Sequence, residues 1–506
     1  MPKAVGVFNR IIAICLLVAS LVVLVVSTLT TIYYDMHMDV DWPQYGKENI
    51  PLLGVLVAIV LIVLYFMKRA GFFQNYKLFW RIGLGFITVY SLILIFSIFP
   101  RPVDDSLMLD EVINQFMDGD YSSITNIGGY LYTWPFQLGY VGFGQIMALI
   151  FGKSNYIAWD IVQLLCILMS VYLIYCITYE LFEDRETCGI VAFLSLGALF
   201  YYNYVTFIYG DILSMAPQTL SLYMMIRYIK REKIRYALIS AISIAVAILL
   251  KTNSEVTLIA LLMVLIGSGF SKKNKQSDNS RRLLFRLLLA VVFLFITFGL
   301  KKGVDRYYCN RVGIEEMPSG SPAWSHIAMG MQESELEDGW YNGYNYRIFA
   351  ENGYDTEKTK AAALENIKET LADFAKRPLH AGKFFARKFA TQWADSVCIT
   401  THNLDLVSRH VENQPWLCDF LVFGQGSRVL IWVMNVFMSV CYLGVAIYLL
   451  HLVFKGNASS QEMLLLILIF GGMLFHEFWE GSSRYAMRYY IYWLPYSAYG
   501  FRKIIK

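Results

Sequence analysis

Residues 100 to 111, PRPVDDSLMLDE, follow the apolar run YSLILIFSIF and set two adjacent carboxylates, Asp104 and Asp105, at the mouth of a membrane-length segment. Three further polar features stand at comparable segment ends: Asp211 in FIYGDILSMAPQ, Lys251 in AILLKTNSE, and Glu480 with Arg484 in HEFWEGSSRYAMRYY. Ionisable groups at such depth are expensive and usually face a cavity or one another. Each also has an ordinary structural explanation. Asp104 and Asp105 could be a solvated loop pair, Asp211 a helix cap, Lys251 a snorkelling lysine, and Glu480 with Arg484 an i, i+4 helix pair. Taken together, a base, a second carboxylate and two cations suit group transfer from a lipid phosphate. A hydroxyl attacking an anomeric carbon must lose a proton, which one positioned carboxylate can accept. A leaving phosphate is already a stable anion, so it needs cations and not a general acid.

Other chemistries lack their residues. The GKS at 152–154 would need a glycine at position 147 to form a phosphate loop, and that residue is Met147. His476 and Glu477 have no second histidine at zinc-protease spacing, and no GxSxG elbow occurs, so His476 reads as structural. The eight cysteines lie mostly in apolar runs without repeated spacing, which implies neither a zinc site nor a disulfide framework. No metal is expected, although Asp105, Asp211 and Glu480 could hold a divalent cation.

The elements that must position these residues are membrane helices. With 57% hydrophobic and only 16% charged residues over 506 positions, the chain has too little polar surface for a soluble globule. Its net charge of +4 is dispersed in blocks between apolar runs and makes no nucleic-acid footprint. Runs of about 17 to 25 apolar residues predict twelve spans, near 11–33, 51–67, 78–99, 157–179, 188–208, 212–229, 236–251, 254–270, 287–302, 429–454, 462–480 and 485–501. The first is read as a retained span and not a signal peptide. Basic loops at 68–81, 230–235 and 271–282, with the terminal FRKIIK, place both termini in the cytoplasm and the acidic connections at 34–48 and around Asp104 outside. Reading 134–152 as a thirteenth span would reverse three of these basic segments, so it is expected to be a juxtamembrane or partly re-entrant outer helix.

The expected architecture is therefore an all-α polytopic membrane protein of the plasma membrane with a mainly helical extracytoplasmic insert. Residues 1–77 would hold two N-terminal spans, 78–302 a core with outer loop 100–156, 303–427 the insert, and 428–506 three last spans. Within the insert, Leu364, Ile367, Leu371 and Phe374 recur at helical spacing until Pro378. The following HAGKFFARKFATQW sets aromatics beside Lys383, Arg387 and Lys388. It fits either an interfacial helix with cations at lipid headgroups or a helix packed on its own domain. The stretch GWYNGYNYR, with Trp340, Tyr341 and Tyr344, offers aromatic faces and amides that suit an acceptor sugar, or else a turn region with buried tyrosines.

The order of VDDSLMLDEVINQFMDGDY, YLYTWPFQLGYVGFGQIMALIFG, YGDILS, LLKTN and EGSSRYAMRYYIYWLP resembles the GT-C glycosyltransferases, in particular bacterial proteins of the dolichyl-phosphate-mannose-protein mannosyltransferase type. The resemblance covers residues about 78 to 302 and 462 to 501. It implies a polytopic helical fold, an outer-face site, a polyprenyl-phosphate sugar as donor, and inverting transfer to an acceptor hydroxyl of a glycan, protein or envelope polymer. By resemblance, Asp104 falls at the catalytic aspartate of the first outer loop, with Asp105 beside it, and Asp211 at the second acidic position. Lys251, Arg484 and Tyr485 match positions that hold the donor phosphate, with Glu480 in support. The two extra N-terminal spans and the 303–427 insert depart from the family pattern. A transporter or flippase of lipid-linked sugars would also use intramembrane charges, but no internal repeat with paired broken segments is visible. A noncatalytic scaffold of envelope assembly is the other alternative.

Overall fold

The computed structural model describes residues 3–270, 279–410, 413–455 and 458–504. The predicted basic loop at 271–282 and the terminal FRKIIK lie partly outside the described residues. Helix α1 (Lys3–Leu29) runs into a two-stranded antiparallel hairpin, β1 (Thr30–Tyr34) and β2 (Pro43–Lys47), with Thr30 opposite Lys47 and Tyr34 opposite Pro43. The sequence pattern, read as helix and acidic loop, did not predict these strands. The run Thr-Thr-Ile-Tyr-Tyr is β-branched and aromatic, which favours a pleated ribbon.

Helices α2 (Ile50–Arg69) and α3 (Tyr76–Ile98) follow. Then α4 (Asp104–Met117), the single turns α5 (Ser122–Thr125) and α6 (Tyr130–Thr133), and α7 (Leu138–Phe151) lead to the long α8 (Tyr156–Phe182). The chain continues through α9 (Arg185–Ser195), α10 (Leu199–Asn203), α11 (Gly210–Arg231), α12 (Ile234–Leu250), α13 (Glu255–Gly269) and α14 (Asn279–Val312). A helical segment comes next: α15 (Ala323–Gly330), α16 (Tyr344–Glu351), α17 (Thr356–Lys376), α18 (Pro378–Trp393), α19 (Thr400–Ser408) and the short α20 (Trp416–Cys418). The last four are α21 (Gln425–Lys455), α22 (Ser460–Phe478), α23 (Ser483–Tyr490) and α24 (Leu494–Ile504).

Apart from the β1–β2 hairpin, the described residues form a helical polytopic membrane fold. Among the described residues, eight helices are long and apolar enough to cross a bilayer, and nine if α9 and the following helix, bent by 58°, form one broken span. The remaining three predicted spans are also helical, but each falls short for its own reason. Helix α11 carries the buried polar side chains Asp211, Ser214, Gln218, Thr219 and Ser221, and most of its other residues are buried too. A helix enclosed by other helices need not be apolar all round, because its polar groups can meet partners inside the bundle. Helix α12 has only 17 residues. The predicted span 485–501 breaks at the tight turn Ile491–Trp493 into α23 and α24. The 134–152 segment forms a helix, Pro135–Phe151, too short to be a span by the same measure.

Two helix ends approach so closely that only glycine fits. A Cβ on Gly210, the first residue of α11, would stand 2.2 Å from the Leu250 carbonyl oxygen, and one on Gly139 of α7 would stand 2.3 Å from that of Leu249. The C-terminal end of α12, which presents Lys251, is thus gripped from two sides by backbone. Between α17 and α18, Pro378 occupies the first helical turn, where its missing N–H costs nothing. Replacing Gly210 by alanine is expected to cost about 2 kcal/mol through overpacking and to lower the melting temperature in detergent. Gly85→Ala in α3, where nothing lies within 4 Å, should leave that temperature unchanged or slightly raised, since alanine is about 1 kcal/mol better than glycine in a helix.

Candidate functional site

Asp104 is the first residue of α4 and has φ +48°, in the left-handed region. Aspartate tolerates that conformation better than most residues, at a cost of about 1 kcal/mol. The turn is braced by Ser106, whose Oγ accepts from the Val103 N–H at 2.9 Å and donates to the Val103 carbonyl at 2.6 Å. Both Asp104 and Asp105 are exposed. Partial burial and then the Asp105 charge push the Asp104 carboxyl above the ordinary aspartate range. Arg484 opposes that shift, while Asp41 and Asp39 of the hairpin loop add to it. The Tyr130 hydroxyl faces Asp105, and burial together with that charge pushes the phenol well up.

Beneath this pair lies a buried charge cluster. Asp211, in the first turn of α11, is 1% exposed, with Lys251 Nζ 3.4 Å from one carboxylate oxygen and Arg488 Nη1 3.7 Å from the other. The Arg488 guanidinium is fully enclosed and donates to Ser214 Oγ at 2.9 Å, Gln218 Oε1 at 2.8 Å and Ser254 Oγ at 2.7 Å. The Lys251 ammonium sits 3.9 Å above the Tyr209 ring centroid, a cation–π contact. The Tyr209 hydroxyl accepts from Gln137 Nε2 at 2.7 Å. Lys251 is within electrostatic reach of Asp105, and Arg484 within reach of both Asp104 and Asp211. The exposed carboxylates and the half-buried cations therefore act on one another electrostatically.

Arg484 is surrounded by the rings of Phe207, Tyr209 and Tyr485, at 5.8, 5.6 and 5.3 Å from their centroids. Its spacing from Glu480 suggested a helical ion pair. Instead Trp479 and Ser482 are extended, α23 begins only at Ser483, and Tyr485 stands between the two charges. The Tyr485 hydroxyl donates to Glu480 Oε1 at 3.0 Å and receives the Arg484 guanidinium at 3.4 Å.

The aromatic acceptor candidates separate. Trp340 is 1% exposed, and its backbone forms a parallel bridge with Gly481. Tyr344 packs in a small core with Ala328, Met329 and Ala363. Tyr341 is 51% exposed, and the charges of Glu480 and Asp105 act on its hydroxyl. Of HAGKFFARKFATQW, the headgroup reading fails for Lys388, which is fully buried, and Arg387 pairs with Glu337 at 2.7 Å. The helix packs both on its own segment, through Phe384 against Phe374, and on the C-terminal helices, through Trp393 against Tyr489 and Tyr490 of α23.

Sequence reasoning missed Arg488. Its signal was present: Arg484 and Arg488 repeat at i, i+4 in a run that continues as apolar, and like charges so placed need a buried partner. Among the described residues, no group of three or more histidine, cysteine or acidic side chains is arranged to hold a metal ion.

Over residues 142–299, from α7 into α14, the chain matches the family model described as dolichyl-phosphate-mannose-protein mannosyltransferase. The resemblance to dolichyl-phosphate-mannose-protein mannosyltransferases, drawn from short motifs, is thus met by a family-model match over part of the chain. No curated protein matches significantly. Among solved structures, the archaeal oligosaccharyltransferase AglB from Archaeoglobus fulgidus, in complex with an inhibitory peptide and a dolichol-phosphate, is similar at 14% identity and a TM-score of 0.42. That likeness covers 84% of this chain and 50% of the archaeal one, so this chain spans half the archaeal protein's length. ArnT from Cupriavidus metallidurans, bound to undecaprenyl phosphate, is similar at 12% identity and a TM-score of 0.32 over 82% of this chain and 77% of ArnT.

Removing one partner of a buried ion pair leaves the other uncompensated, at a cost of about 3–5 kcal/mol. Arg488→Gln is accordingly expected to lower thermal stability in detergent far more than Arg484→Gln. The double variant Asp211→Asn/Arg488→Gln should be less destabilised than the sum of its single changes, as a double-mutant cycle would read.

Proposed function

We propose that this protein is a membrane glycosyltransferase that moves a sugar from a polyprenyl-phosphate donor to an acceptor hydroxyl on the extracytoplasmic face. The observation that carries the reading is the exposed Asp104/Asp105 pair within electrostatic reach of the half-buried cations Lys251 and Arg484. The family match over 142–299 supports it.

In this reading the acceptor hydroxyl gives its proton to Asp104 while its oxygen attacks the anomeric carbon. The bond from that carbon to the phosphate oxygen breaks, and the polyprenyl phosphate leaves with the electron pair. Its charge is met by Lys251, Arg484 and the Tyr485 hydroxyl, which are already oriented and desolvated. One displacement without a covalent sugar intermediate inverts the anomeric configuration. Asp105 orients the acceptor or exchanges roles with Asp104. Asp211 holds Lys251 and Glu480 holds Tyr485, so both act through the donor-phosphate groups. Tyr341 is the aromatic residue placed to meet an acceptor sugar. Residues 78–302 and 428–506 form the transferase body, 1–77 an added N-terminal unit, and 303–427 a cover over the site, with both termini in the cytoplasm.

The test is transfer of radiolabelled sugar from polyprenyl-phosphate donors to endogenous acceptors in membranes, at matched expression of wild type, Asp104→Asn, Asp105→Asn and Asp211→Asn. Loss of the base should reduce transfer by about a hundredfold or more. Full transfer in all three variants would sink the catalytic reading and favour a carrier of lipid-linked sugars.

The pH dependence follows from the raised Asp104 pKa. A base works only when ionised, so transfer should fall with decreasing pH through a value above the ordinary aspartate range. The Asp105 charge contributes to raising that value, so Asp105→Asn should move the acid limb of the residual activity to lower pH. An unmoved limb in the Asp105 variant would argue against Asp104 as the base.

A further inference from the structure

Lys388, from α18, is fully buried, yet it pairs with no carboxylate within ion-pair distance among the described residues. Its ammonium instead donates to three backbone carbonyls: that of Gly330, that of Glu477 at 3.0 Å and that of Trp479 at 2.7 Å. An ammonium has three protons and no acceptor capacity, so the three carbonyls satisfy it completely. Gly330 is the last residue of α15, and Glu477 and Trp479 stand at the end of α22. One cation thus closes two helix C-termini, where unsatisfied carbonyls carry negative partial charge.

The lysine stem is part of the same clamp. A Cβ on Gly339, which has φ +71°, would stand 2.7 Å from the Lys388 Cδ and Cε atoms. One on Gly481 would stand 3.2 Å from Cε. On the other side, a Cβ on Gly330 would stand 2.4 Å from the Trp479 carbonyl carbon and oxygen. The Gly481 N–H donates to the Gly339 carbonyl at 2.8 Å, in register with the Trp340–Gly481 bridge. The turn 479–481 is therefore held on every side by backbone, glycine or the lysine stem. Glu480 lies inside it, and immediately after it Ser482 Oγ accepts from the Arg484 N–H at 3.3 Å to start α23.

We propose that Lys388 is a positioning residue of the donor-phosphate site: by tying the Glu477 and Trp479 carbonyls to Gly330, it sets the turn from which Glu480, Arg484 and Tyr485 project. The segment between α14 and α21 thereby shapes how the lipid phosphate is held, and a change in that segment is felt at the phosphate before it is felt at the base. This rests on the transferase reading above.

The experiment uses the full-length protein purified in detergent and measures binding of undecaprenyl phosphate to wild type, Arg484→Gln, Lys388→Met and Gly330→Ala. Donor KM and kcat are measured in parallel. Lys388→Met keeps the stem and removes the donors. Gly330→Ala keeps the ammonium and pushes directly on the Trp479 carbonyl, so it serves if the lysine variant does not fold. Both are expected to weaken undecaprenyl phosphate binding at least tenfold and to raise donor KM correspondingly, with kcat per folded molecule little changed. A merely structural role would instead lower the amount of active enzyme, and so apparent kcat, while leaving KM and affinity alone; that outcome overturns the proposal. Loss of affinity in Arg484→Gln alone leaves the donor site standing and refutes the role of Lys388. Equal binding by wild type and Arg484→Gln refutes the donor-site reading and this proposal with it.

Discussion

A carboxylate that is 1% exposed inside a helical bundle keeps its charge only when cations are brought to it, and the whole centre of this protein is arranged to bring two. Asp211 opens α11, Lys251 follows α12, and Arg488 lies on α23, with Ser254 holding Arg488 just before α13 begins. Four helices are therefore fixed against one another by one charge cluster. Glycine makes the approach sterically feasible: without Gly210 and Gly139 the end of α12 could not come near enough for Lys251 to reach Asp211 at 3.4 Å. The same cluster has a chemical consequence. Asp211 shares its charge between Lys251 and Arg488, while Lys251 and Arg484 are also acted on by the exposed carboxylates.

How much of this was legible in the sequence depends on the range of the interaction. Apolar periodicity over twenty residues is a local property, and α1, α2, α3, α8, α13, α14, α21 and α22 all stand where it places them. Helix α11 was harder to weigh, because its polar residues are bought back by partners distant in sequence, such as Gln218 accepting from Arg488. The break at Ile491–Trp493 did have a signal, Pro495, which has no N–H to offer the Ile491 carbonyl four residues before it. Paired aspartates beside an apolar run were visible at once, as were the single charges at helix ends. That Arg488 would pair with Asp211 was not visible, since it depends on α23 starting after an extended stretch. The burial of Lys388 was equally hidden: its acceptors are backbone carbonyls, which carry no sequence signature.

The N-terminal unit, although outside the resemblance, is tied into the site at its most buried points. Asp395, which is inaccessible to solvent, accepts from Tyr34 of β1 at 2.9 Å and from Ser483, the first residue of α23, at 2.6 Å. Backbone N–H groups of Val397 and Ile399 complete its coordination at 2.9 and 3.2 Å. A little further along, Arg409 binds Asp405 through a two-bond fork at 2.9 and 2.8 Å and also reaches the Met38 carbonyl and Asp39. Forked arginine contacts of this kind fix direction as well as distance. The loop that carries Asp39 and Asp41 is thereby held where its charges act on Asp104. The hairpin between the first two helices thus contributes to the electrostatics around Asp104.

The strained backbone at Asp104 explains why two neighbouring carboxylates can serve one site without duplicating each other. Between α3 and α4 the chain must reverse across Pro100 and Pro102, which forbid continuation of a helix. It does so with left-handed residues at both ends of the reversal, Phe99 and Asp104, each at φ +48°. Successive residues of a helix point about 100° apart, so Asp104 and Asp105 address different surroundings. Asp104 is influenced by Arg484, Asp41 and Asp39, whereas Asp105 acts on Tyr130, Tyr209 and Lys251. Burial, and then the like charge beside it, raise the proton affinity of Asp104. The geometry that separates the two carboxylates and the electrostatics that couple them have the same origin, a short proline-bracketed turn at the membrane mouth.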